Sequence, residues 1–262
     1  PPLRHQAGVL RGRRPLIAAP GATAAVVTAV KNSINQGIQN QAYGQRNNDP
    51  YKSYTWDGHH CWGSNGIKSE WGNLCVFGNK LNVNAGLSAV YLKTGEEYLH
   101  YIHGRNPISF NYLTQSQLYG ADKPITQIYH GWFHHGTAWD TNPAPGILSG
   151  GPNMYFVPNA SYSGTIEPPQ NQPPMKSYKD WNTSWPENSW EITENSTGYQ
   201  SRYTLLASFF ASAAGPTATP TYTYTQTDTI TPGGPTFTFT HTPTETFTNS
   251  HTSTQTPTPV SV

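Results

Sequence analysis

The chain has 262 residues, a formal net charge of +1, only 11% charged side chains and 13% aromatics, including 16 Tyr and 8 Trp. That balance gives no electrostatic basis for binding nucleic acid or an anionic membrane, and no apolar run reaches the ~18 residues of a transmembrane helix. Abundant Trp and Tyr with few charges suits an extracellular protein that stacks rings on sugars, as it suits many other surfaces.

Residues 1–21 place Arg4, Arg11, Arg13 and Arg14 among prolines and glycines without periodicity, which predicts an irregular N-terminal segment. With no initial Met and no apolar signal-peptide core after the Arg-rich opening, the sequence is expected to be a piece of a longer one. Val27, Val30, Ile34 and Ile38 then mark one face of a helix running from Ala22 to near Gly44. A polar loop, QRNNDPYKSYTWDGHHCWGSNG, follows, and loops of this composition carry function. Ile67, Trp71, Leu74, Cys75 and Leu81 predict a second helix from Gly66 to about Asn82. Leu87, Tyr91, Tyr98 and Ile102 predict a third helix or helix pair, with Gly104 as its C-cap and Pro107 as a stop. Cys61 and Cys75 could pair, but Cys75 falls on an apolar helix face, so buried thiols are the preferred reading.

From Pro107 to Trp190 there is little periodicity and much Gly, Pro and Asn, which predicts a long layered loop region of the kind that builds a site. Tyr199, Tyr203, Leu206 and Phe210 predict a last helix, entered at about Glu194 and ending near Ala214. Within 215–262 threonine takes every second position over TATPTYTYTQTDTIT and TFTFTHTPTETFT. The alternation is strand-like, with Tyr222, Tyr224, Phe237 and Phe239 on one face, but the prolines, the absence of Lys and Arg and the strong bias favour a disordered Thr/Pro-rich linker.

Two histidine groups invite a metal reading: His59 and His60 beside Cys61, and His130 with His134 and His135. His130 and His134 have a zinc-like spacing, but Gly131 and Gly136 argue against the helix that spacing needs, so hydrogen bonding to substrate or backbone is preferred and no metal is expected. GILSGGPN lacks the Lys and the strand–helix context of a phosphate loop and reads as a structural turn. Glu187, Glu191 and Glu194 lie near a helix start, where carboxylates cap or catalyse, and local chemistry does not choose among them.

Taken together, residues 22–213 resemble the C-terminal part of glycoside hydrolase family 9, the inverting cellulases. YTWDGHHCWGSNG resembles the family's aromatic-Gly-Ser-Asn segment, YLHYIHGRNPISFNYLT its helix ending in Gly-Arg-Asn-Pro, FHHG its paired histidines and GILSGGPN its Gly-Gly-Pro-Asn loop. The resemblance implies an all-α fold, part of an (α/α)6 barrel, over 22–214. It implies a secreted endo-β-1,4-glucanase that hydrolyses β-1,4-glucan with inversion, needs no cofactor and has further modules beyond the linker.

The family's acid motif fits Glu194, with Trp190 four residues before it and Ser196, Tyr199, Gln200 and Ser201 after it, Gln200 standing for the family's Asn. By the same correspondence Glu194 is the general acid, and His134, paired with His135, contacts the sugar near the scissile bond. Tyr199 lines the same subsite, and Trp62 is either a stacking platform or a packed core residue. Gly136 stands where the family commonly has Arg. Tyr178 to Asp180 matches its aromatic-x-Asp element at a longer distance, implying an insertion around Asn182 to Asn188. The family's Asp-Ala-Gly-Asp base motif does not occur. That absence supports a contrary reading, a catalytically incomplete carbohydrate-binding or structural piece.

Overall fold

The computed structural model describes residues 21–211 and the backbone of two strands within 221–244. Helix α1 spans Ala24–Asn40, opened by the Thr23 hydroxyl accepting from Val26 N, and it buries Ile34 and Ile38 while Val27 and Val30 stay half-buried. Helix α2, Ser64–Lys80, is buried almost all round. Such burial on every face marks a hub on which other helices pack. Two glycines let neighbours approach: a Cβ on Gly72 would stand 2.6 Å from Leu206, and one on Gly78 would stand 2.4 Å from Ile38.

Helix α3, Ser88–Ile102, lies against α2, and its Tyr91 hydroxyl donates to Asn35 of α1 at 2.6 Å. Gly104 takes φ +113, the left-handed conformation that ends helices, and Arg105 N closes on His100 O at 2.9 Å. The predicted segment is thus one helix, preceded by a tight turn at Ala85–Leu87.

Beyond α3 the chain forms a layer of loops. Its regular parts are a two-stranded parallel ladder, β1 Asn111–Thr114 and β2 Pro124–Ile125, two short 3-10 turns at Ser116–Tyr119 and Pro174–Lys176, and a single helical turn, α4 Trp190–Thr193. This layer has its own core, in which Ile102, Tyr112, Ile125, Leu148, Trp181 and Ile192 are buried together. A second core joins Ile34, Leu74, Cys75, Tyr91 and Leu206 between the helices. Helix α5, Thr197–Ser208, closes this unit, packing on α2 through Leu206.

One expectation needs correction. Glu194 does not sit in the entry turn of the last helix. Its backbone is extended (φ −61, ψ 132), and the helix starts at Thr197 because the Ser196 hydroxyl accepts from Tyr199 N at 3.1 Å and takes the cap. The described part of this unit is helical, as expected, with little strand beyond the short β1–β2 pair of the loop layer. Both cysteines are free thiols, Cys75 buried and Cys61 half-buried.

Ala211–Val262 forms a separate unit. In it, strands β3, Thr221–Thr231, and β4, Gly234–Thr244, pair antiparallel from Thr221↔Thr244 to Thr231↔Gly234, the arrangement that a period of two favours. The linker expected over 215–262 otherwise lies outside the described residues, as do residues 1–20 of the N-terminal segment. Among the described residues, no helix is long and apolar enough to cross a membrane.

Candidate active site

The N-terminus of α2 sets one wall of the site. Gly63 precedes it in a left-handed conformation (φ +83), and the ring of Tyr199 fills the corner: a Cβ on Gly63 would lie 2.4 Å from that ring, and one on Gly66 2.7 Å. Trp62 stands just before this turn, 43% exposed, and its indole Nε1 donates to Oε2 of Glu194 at 3.1 Å. Trp62 is therefore a partly open ring tied to a carboxyl, not a packed core residue.

Glu194 is held from the other side by two segments. Tyr129 forms a parallel bridge with it, supported by Tyr129 N donating to Thr193 O at 3.3 Å. The Gly150–Gly151 segment is wedged between α2 and α4. Asn65 N donates to Gly150 O at 2.9 Å, the Asn65 amide to Ser149 O at 3.0 Å, and Gly151 N to Ile192 O at 2.9 Å. Neither glycine has room for a side chain: a Cβ on Gly150 would meet Ile192 O at 2.8 Å and Glu194 O at 3.0 Å, and Gly151 has φ +101. The glycine pair, read from the sequence as a turn, is instead an irregular spacer that sets the height of Glu194 over α2. Gln200 braces it from α5, its amide oxygen accepting from Leu148 N at 2.9 Å and its nitrogen donating to Gly146 O at 3.0 Å.

Burial pushes the Glu194 pKa up, opposed by the Trp62 hydrogen bond and by the charge of His130. Burial also raises Glu191, whose carboxyl is 3.4 Å from the Asn153 amide. Glu187 accepts from the Trp181 indole at 3.1 Å. Asp180 takes Thr126 N at 2.8 Å, the Thr126 hydroxyl at 2.9 Å and Gln127 N at 3.2 Å, so it braces the chain after β2. Burial raises its pKa and those bonds oppose the rise.

Of the residues singled out in the sequence, Trp62, Tyr199 and Glu194 come together. His134 joins through Tyr129, whose ring lies 5.8 Å from the imidazole and 5.3 Å from Trp190. His134 Nδ1 is hydrogen-bonded with His135 O at 2.9 Å. His135 itself is outside this group, three-quarters exposed with Nδ1 3.1 Å from Asp140 Oδ2. Gly136, where the resemblance expects Arg, donates its N–H to the same Asp140 oxygen at 3.0 Å.

His59 and His60 lie elsewhere, beside the buried Lys68. Burial and the Lys68 charge lower His59 and push His60 down to about 3. Among the described residues, no three His, Cys, Asp or Glu side chains gather as a metal site. Sequence reasoning missed Tyr129, Asn65 and Gln200's bracing role. Asn65 was within a recognised motif, but nothing local marked Tyr129.

The family model described as Glycosyl hydrolase family 9 matches residues 13–207. No curated protein matches the chain. Several solved structures share the fold. A Bacteroides ovatus GH9 protein is 20% identical (TM-score 0.56), with 74% of this chain and 30% of that chain covered. The GH family 9 endoglucanase J30 is 18% identical (TM-score 0.60), covering 79% and 35%. AaCel9A, solved with a cellobiose-like isofagomine, is 18% identical (TM-score 0.53), covering 72% and 33%. The chain thus spans about a third of the length of each.

Proposed function

The chain belongs to glycosyl hydrolase family 9, and from that premise we propose that it carries the C-terminal part of the catalytic domain of a secreted endo-β-1,4-glucanase. The substrate is a β-1,4-glucan such as cellulose, and Glu194 is the general acid of an inverting reaction. In that mechanism one carboxylic acid protonates the leaving oxygen while a second carboxylate activates water on the opposite face of the sugar. The acid must keep its proton near neutral pH, and partial burial of Glu194 favours the protonated form.

The observation that carries the reading is the 3.1 Å contact between the Trp62 indole and Glu194 Oε2. It fixes one carboxyl oxygen and leaves Oε1 to present the proton to the glycosidic oxygen. Trp62 offers a ring face to a sugar beside the acid, with Tyr199 under the same corner and His134 across Tyr129. Hydrolysis of carboxymethylcellulose by the chain, abolished by Glu194→Gln, separates the enzyme reading from a non-catalytic one. No hydrolysis even at high enzyme concentration sinks the enzyme reading for this chain.

A second reading has its own support. The Asp-Ala-Gly-Asp base motif is absent from the sequence, and three of the aspartates spend their carboxylates internally: Asp49 on Tyr51 and Ser53, Asp140 on Asn182 and Gly136, Asp180 on Thr126 and Gln127. A chain with the acid and no base binds glucan without turning it over. Cello-oligosaccharide binding that persists in Glu194→Gln, without hydrolysis by either protein, identifies that case.

A further inference from the structure

Lys68, on the first turns of α2, is 1% exposed. Its ammonium donates to Ser53 O at 2.5 Å and lies 4.1 Å above the ring of Tyr101 on α3. Burial drives its pKa down to about 7 against the pull of the Asp49 charge. A buried ammonium is a costly way to fill this space, because an apolar side chain of similar volume packs there without desolvating a charge. The titratable groups facing it are Asp49 from the turn after α1, His59 and His60 from the turn before α2, and Tyr101 from α3.

What this ammonium holds is a loop. The Asp49 carboxylate accepts from Tyr51 N at 2.8 Å, Ser53 N at 3.1 Å and the Ser53 hydroxyl at 3.2 Å. Lys68 takes the carbonyl of the same Ser53, the Tyr98 hydroxyl takes Tyr54 O, and Arg105 takes Tyr51 O at 2.9 Å. From that clamp the chain runs through His60, where Met154 N closes on its carbonyl at 2.8 Å, to Trp62 and its bond to Glu194.

We propose that Lys68 is a positioning residue for the Glu194 site: it fastens residues 51–54 to α2 and so sets the path by which 55–62 brings the Trp62 indole to the Glu194 carboxyl. The inference rests on the proposed function only in taking Glu194 as the acid. Its readouts are structural, so a failure to hydrolyse glucan leaves it standing.

Lys68→Met in the 262-residue chain separates holding the loop from holding the fold. The expected result is a Tm unchanged or raised, with amide exchange at Tyr51 and Ser53 about tenfold faster or more. The Trp62 indole resonance then no longer follows the titration of Glu194. A lysine that merely stabilises the fold lowers Tm and speeds exchange everywhere, and a spectator changes neither the loop nor the indole. Either outcome overturns the proposal. Should the Met variant not fold, the unmodified chain decides, with 13Cε-lysine NMR following Lys68's own protonation. Corrected exchange protection of 51–54 is expected to fall as Lys68 loses its charge and its pull on Asp49, and protection that ignores that titration overturns the proposal.

Discussion

The Trp62 indole and the Glu194 carboxyl meet at 3.1 Å across 132 positions of the chain, the donor standing before α2 and the acceptor between α4 and α5. A donor aimed at a carboxylate stabilises its ionised form. Trp62→Phe keeps a ring and removes that donor, so the Glu194 pKa, already raised by burial, is expected to rise further. Carboxyl 13C NMR titration of both proteins checks this, and an unchanged or lower Glu194 pKa in the variant contradicts it.

Glu194→Gln tests the energetic side of the same carboxyl. Between the unfolded Glu value, about 4.3, and the raised native value, the folded chain binds more protons than the unfolded one, so stability falls as pH rises through that window. The cost is fully present above the native pKa and absent below the unfolded one. Gln keeps an oxygen for Trp62 and cannot ionise. The variant is therefore expected to be at least as stable as the parent at pH 7, with the gap closing near pH 4. Denaturant melts at both values measure it, and a variant less stable at pH 7 than the parent argues against a burial cost at Glu194.

Much of the helical part was readable from periodicity, because Ile34, Ile38, Leu74, Tyr91 and Leu206 all end up buried. The hub role of α2 was not readable, since Asn65, Lys68, Ser69 and Asn73 occupy buried positions that a polar side chain ordinarily marks as exposed. Their compensation comes from groups far along the chain, such as Ser149 O for Asn65 and Arg202 O for Asn73. The core of the loop layer was equally hidden, because Ile125, Leu148 and Ile192 sit in short apolar spots with no helical or strand repeat around them. At the site, the charge of Glu194 pointed to a helix start, while Ser196 two residues later was the real cap. Residue chemistry left Glu187, Glu191 and Glu194 equivalent, and only the family resemblance favoured the third.

Gly150→Ala probes the spacer. A Cβ there would meet two backbone oxygens, of Ile192 and Glu194, neither of which moves as a flexible side chain does. Overpacking of this kind costs about 1–3 kcal/mol, and relief requires the 192–194 segment to shift away from Gly150. A lower urea midpoint together with a displaced Trp62 indole signal is expected. A midpoint within error of the parent shows that the segment is looser than the contacts imply.

Gln200 stands where the resemblance expects Asn, and its hydrogen bonds show what the longer amide does. Both of its ends are engaged on the 146–148 segment, accepting from Leu148 N and donating to Gly146 O. Gln200→Ala leaves a half-buried amide and a carbonyl without these partners, a loss of about 1–3 kcal/mol where water cannot replace them. Gln200→Asn is one methylene shorter and cannot make both bonds from the same backbone position, so it is expected to recover only part of the loss. The decisive comparison is local. Amide exchange at Leu148 should accelerate in both variants, more in Ala than in Asn, while exchange in α3 stays unchanged. An Asn variant as protected as the parent at Leu148 means that α5 adjusts to the shorter side chain, and that the Gln carries no positional requirement of its own.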